Sequence, residues 1–202
     1  MQLLLQLSRL IDAVSHWIGK MATWLVLAAV LISAGNALMR KIFSIGSNAY
    51  LEVQWYLYGA VFMLAAAYVF LHNAHVRIDF VSSRLSKRTN AIIDALGITV
   101  FLIPLCLIMI NLSWPYFMRT YVSGEMSENA GGLIRWPVVM MIPLGFSILL
   151  LQALSELIKR MAFLTGHREE PFSFIDEKSP EQVMVEELEA AASAEAAKGV
   201  RS

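Results

Sequence analysis

Glu52, His72, His75, Arg77, Asp79, Asp94 and Cys106 are the side chains whose type and position could carry chemistry. A carboxylate set among apolar residues could hold a proton or organise a sodium ion, as ion-driven transport demands. Two histidines three residues apart, His72 and His75, could share one helical face and begin a metal site, but such a site needs further ligands. Read on its own, the pair is interfacial and hydrogen-bonded. Cys106 stands alone in an apolar stretch and reads as a small core hydrophobe. No Ser/His/Asp or Cys/His arrangement, glycine-rich phosphate loop or nucleic-acid-binding patch emerges. The expectation is a protein that is not an enzyme, with no cofactor, no metal and no nucleic-acid partner.

The elements around these residues are apolar. Of 202 residues 57% are hydrophobic and 16% charged, whereas a soluble domain carries about a quarter charged. Charge-free windows run over residues 21–39, 53–71, 95–118 and 136–155. At about 1.5 Å per helical residue each can cross a hydrocarbon core of about 30 Å. The third contains Pro104, where a kink is expected. Trp17, Trp55, Trp114 and Trp136 fall at or near window ends, as an interfacial aromatic belt requires. The pattern predicts an all-α membrane protein with four transmembrane helices.

Residues 1–20 precede the first window. Leu3, Leu4, Leu7, Leu10, Ile11, Val14, Trp17 and Ile18 recur at helical spacing, while Gln2, Gln6, Arg9, Asp12 and His16 fall elsewhere on the wheel. This predicts an amphipathic helix along the interface before the chain turns into the bilayer, and not a cleaved leader. Residues 21–160 form the transmembrane domain. Residues 161–202 form a largely acidic tail, in which Ser179 and Pro180 could open a short helix or the chain could stay disordered.

Four spans place the N-terminus, residues 72–94 and the C-terminal flank on one side. That side holds Arg9, Lys20, Arg77, Arg84, Lys87, Arg88, Lys159, Arg160 and Arg168, against Arg40, Lys41, Arg119 and Arg135 on the other. The excess predicts both termini in the cytoplasm.

Within the four windows there is no Asp, Glu, Lys, Arg or His. A charge at mid-bilayer costs several kcal/mol and is kept for a purpose. Its absence predicts that a translocation path runs through another protein. Arg40 and Glu52 share one membrane face; a pair between them and two independent, solvated groups are both open readings. Asp94 suits the N-terminal end of the third helix. The loop over residues 119–135, with Gly124, Gly131, Gly132, Glu125 and Glu128, reads either as a docking surface or as a connector.

Taken together, these residues resemble the small membrane (Q or DctQ-type) subunit of a tripartite ATP-independent periplasmic (TRAP) transporter. The resemblance is carried by Asn36-x3-Arg40, by Glu52, by Ala-His-Val-Arg-Ile-Asp-Phe over 74–80, by Leu85-Ser86-x-Arg88 and by Asp94-x2-Gly97. Gly124-Glu-Met-Ser-x3-Gly-Gly-Leu, Arg135-Trp-Pro, Ile142-Pro-Leu-Gly-Phe and Leu151-Gln152 resemble one branch of that family. Coverage runs from about residue 15 to 160. Many members open the second span with two acidic residues, whereas here Leu51 precedes Glu52.

The resemblance implies a bacterial or archaeal cytoplasmic membrane, a large multi-span permease subunit and a periplasmic solute-binding protein as partners, membrane lipids around the spans, and ion-driven uptake of an organic acid. It makes Asn36, Arg40, Glu52, His75, Arg77, Asp79 and Glu125 candidate interface residues, with Arg77 and Asp79 anchoring the cytoplasmic end. Two other classes stay in view. One is an autonomous four-helix dimeric exporter using Glu52; the other is a membrane anchor for a redox or signalling partner.

Overall fold

The computed structural model describes residues 2–44, 46–72 and 85–167. The helices are α1 (Gln2–Phe43), α2 (Asn48–Leu71), α3 (Lys87–Gly97), α4 (Ile103–Ser123) and α5 (Trp136–Leu164), with a π-helical stretch, Ile98–Leu102, joining α3 to α4. α1, α2, the continuous rod from Lys87 to Ser123, and α5 are each long and apolar enough to cross a membrane. The all-α, four-span expectation therefore holds.

The interfacial segment and the first span are one uninterrupted helix of 42 residues, not two helices separated by a turn. No proline or glycine pair interrupts residues 2–43 to break the hydrogen-bond ladder. In the third span the expected irregularity falls one turn before Pro104. That proline has no N–H to give the carbonyl four residues back. The backbone instead widens through Ile98–Leu102, and the Ile103 N–H reaches the Ile98 carbonyl, a five-residue step. Serines cap two of the helices. Ser47 Oγ accepts from the Ala49 N–H at the start of α2, and Ser86 Oγ accepts from the Thr89 N–H at the start of α3.

α5 is the hub: α1, α2, α3 and α4 all pack against it, and α1 also pairs with α2. The interior is built from small residues, including Ala22, Ala29, Ala60, Ala67, Ala153 and Ala162. Large apolar side chains such as Trp24, Leu31, Trp55, Phe62, Phe101 and Leu112 point outward. Lipid is as apolar as leucine, so membrane helices gain by close backbone approach rather than by hiding leucine. Gly145 shows the approach most directly: a Cβ there would lie 2.7 Å from Met63 Cβ and 2.9 Å from the Met63 carbonyl oxygen.

Candidate functional site

Two polar assemblies interrupt this apolar bundle, one at each end. At the outer end by the sequence-derived orientation, Glu52 lies one turn inside α2 and is buried. Its Oε1 accepts from the Asn129 amide at 2.7 Å and from the Ser127 hydroxyl, and its Oε2 accepts from the Leu133 N–H at 2.6 Å. These partners sit 75 to 81 residues away in the chain, on the segment linking α4 to α5.

That segment folds because its glycines allow it. Gly124 ends α4 at φ 60°, and Gly131 turns the chain at φ 71°, a left-handed region that glycine enters without penalty. Met126 and Ile134 then pair in antiparallel fashion, with the Ser127 N–H donating to the Leu133 carbonyl at 2.9 Å. Gly132 has no room for a side chain, since a Cβ would lie 2.9 Å from Glu52 Oε1. Asn48 Nδ2 and Tyr56 Oη donate to the carbonyls of Ala130 and Ile134, tying α2 to the loop at two more points. Glu125 pairs with Arg135 inside the loop, and Arg135 also reaches Tyr116 Oη. Residues 124–135 thus form a fastened ledge.

Glu52's partners decide between the two readings of Arg40. The carboxylate is engaged by the ledge, and Arg40 lies exposed with its stem against Gly46. Asn36, one turn before Arg40, is 7% exposed, and its Oδ1 is buried without a hydrogen-bond partner. The structure therefore brings Glu52 and Glu125 into one assembly and leaves Arg40 outside it. His75, Arg77 and Asp79 lie outside the described residues, as does the tail from residue 168 with its expected helix start.

The second assembly escaped the sequence reading. Ser8, Asp12, Ser15 and Gly19 line one buried face of α1, which meets Gln152, Ser155, Glu156, Lys159 and Arg160 of α5. Asp12 Oδ1 accepts from Gln152 Nε2 at 2.9 Å and Ser155 Oγ at 2.8 Å, and Asp12 Oδ2 pairs with Lys159 Nζ at 3.0 Å. Ser8 and Ser155 share a 2.7 Å hydroxyl hydrogen bond. Glu156 pairs with both Lys159 and Arg160, and Arg160 reaches Asp94 of α3 at 3.2 Å. Asp94 does not sit at a helix N-terminus as expected: the helix starts at Lys87, capped by Ser86, and Asp94, eighth along it, instead makes an ion pair between α3 and α5. The available signal was the i, i+3, i+4, i+7 spacing of Gln152, Ser155, Glu156 and Lys159 on one helix face.

In both assemblies a serine hydroxyl donates to a carboxylate that is itself buried and held by further donors. Among the described residues no three His, Cys, Asp or Glu side chains converge where a metal ion could sit. Both join helices to each other or to a loop, an arrangement that fixes geometry.

Fold and sites define a multi-pass helical membrane protein that carries a folded ledge over residues 124–135. A family model described as "Tripartite ATP-independent periplasmic transporters, DctQ component" matches residues 29–163, and the chain belongs to that family. It is a small permease component of a TRAP transporter, from a family of transporter components rather than of enzymes. The family works in tripartite transporters beside a large permease and a periplasmic binding protein. No curated protein and no solved structure matches the chain.

Proposed function

We propose that this subunit is a static scaffold: it holds the large permease subunit in the membrane and presents the 124–135 ledge to a solute-loaded periplasmic receptor. The observation that carries the reading is the Glu52 lock. A buried carboxylate whose two oxygens are both occupied by three loop donors fixes a surface and is badly placed to bind and release a coupling ion. The four uncharged windows support the same reading, because solute and ion then pass through the partner. Exposed Arg40, the outward-facing Leu38 and Ile42 at that end of α1, and the outward-facing apolar residues of α2 are the contacts offered to the large subunit. Arg77 and Asp79 anchor the cytoplasmic end, and the inner membrane with both termini cytoplasmic is the setting.

Affinity purification of the chain in mild detergent tests the proposal. The expected result is recovery of a larger polytopic protein, with Arg77→Ala or Asp79→Ala weakening that recovery. A lone homodimer that carries solute would overturn it.

A further inference from the structure

The first half of α1 carries three distinct faces. Ser8, Asp12, Ser15 and Gly19 are turned into the bundle. Leu3, Leu7, Leu10, Val14 and Trp17 form an exposed apolar strip. Gln2, Gln6, Arg9, Ala13 and Lys20 form an exposed polar edge. The acidic residue of the segment, Asp12, is withdrawn inward onto Lys159, so the charge displayed on the polar edge is basic.

Depth follows from the packing. Gly19 lies against Tyr68 near the end of α2, and Asp12 lies against Gln152 and Lys159 towards the end of α5. Residues 12–20 therefore run where the apolar windows of α2 and α5 finish, and the helix continues beyond them towards residue 2. A straight 42-residue helix is about 63 Å long, roughly twice the hydrocarbon core. At that level Lys20 is flanked by Trp17 and Trp24, three residues before and four after, 63% and 66% exposed. Indole rings settle at the headgroup level with the N–H toward water, and a lysine there extends to the phosphates.

We propose that Trp17, Lys20 and Trp24 form a binding site for the headgroup of an anionic phospholipid, with its acyl chains running deeper along the exposed Leu27 and Leu31. The Lys20 ammonium meets the phosphate, and the two indole N–H groups supply further donors. Charge complementarity selects the occupant: exposed Lys20 above the exposed apolar residues of the span matches a lipid that is anionic above and apolar below.

The test uses the full-length chain with Trp55, Trp114 and Trp136 replaced by Phe, leaving Trp17 and Trp24 of the site as the fluorophores. It is reconstituted into phosphatidylcholine nanodiscs holding equal mole fractions of brominated phosphatidylglycerol or brominated phosphatidylcholine. The expected result is tighter association of the anionic quencher by roughly fivefold, about what one cation contributes at an anionic surface. Lys20→Gln abolishes that preference, Lys20→Arg keeps it, and Arg40→Gln at the opposite end leaves it unchanged. Equal quenching by the two lipids would overturn the proposal, as would a preference that survives Lys20→Gln or falls equally with Arg40→Gln. Quenching by neither lipid would show that protein covers this face, which also overturns it.

Discussion

Glu52 places a carboxylate near the mouth of an otherwise uncharged helix, where its side chain is 1% exposed. Buried charge without partners would be intolerable there, and the 124–135 ledge supplies three hydrogen-bond donors. One side chain thereby couples the start of α2 to the connection between α4 and α5. Glu52→Gln keeps the size but replaces one acceptor oxygen with a donor that faces the ledge's own donors. The expected outcome is backbone amide exchange at Leu133 and Ser127 accelerated by about tenfold or more, the loss of at least one charge-assisted hydrogen bond. Exchange in α5 stays unchanged. Unaltered exchange at Leu133 would show that the ledge holds itself together through its glycine turns alone. The carboxylate and the glycines Gly124, Gly131 and Gly132 were visible in the sequence, but their union was not. Arg40 lies 12 residues from Glu52 while Ser127 lies 75 away, and proximity along a chain is poor evidence of proximity in a bundle.

At the scale of elements, α1 and α5 are joined by a buried ionic cluster that includes a lysine at 0% exposure. Asp12 and Lys159 stabilise each other chiefly by sparing one another an unpaired burial. Removing one partner from such a pair costs about 3–5 kcal/mol, whereas replacing both by apolar residues of similar volume is often neutral or stabilising. Asp12→Leu alone and Lys159→Met alone should each lower the thermal midpoint of the detergent-purified chain, and the double variant should recover most of the loss. Additive losses in the double variant would mean that the two residues do not act as a pair. The windows themselves were legible because an unbroken apolar run of about twenty residues matches the thickness of a bilayer. The cluster was not, because Asp12 and Lys159 are 147 residues apart and the polar positions of residues 2–20 looked like a wet edge. Of those positions Asp12, with Ser8 and Ser15, turns inward to partners, while Gln2, Gln6 and Arg9 stay at the surface beside the outward leucines. The π-helical stretch was half legible, since Pro104 announced an irregularity without saying that the backbone would widen before it.

At the scale of the whole molecule, the charges sort to the two ends and leave the centre bare. Asp12, Asp94, Glu156, Lys159 and Arg160 meet at one end, and Glu52, Glu125 and Arg135 at the other. The lysine and arginine excess predicts both termini in the cytoplasm, so a periplasmic reporter fused after residue 125 should be active and one after residue 85 inactive, with the reverse for a cytoplasmic reporter. The opposite pattern would place the ledge on the wrong side to meet a periplasmic receptor. Buried polar locks at both ends and four windows without Asp, Glu, Lys, Arg or His are what the proposed scaffold role calls for. Solute flux in proteoliposomes tests that claim most directly. The chain alone should show no sodium- or proton-driven uptake, while the chain with its large subunit and solute-loaded receptor should accumulate solute. Gradient-driven accumulation by the chain alone would contradict the account.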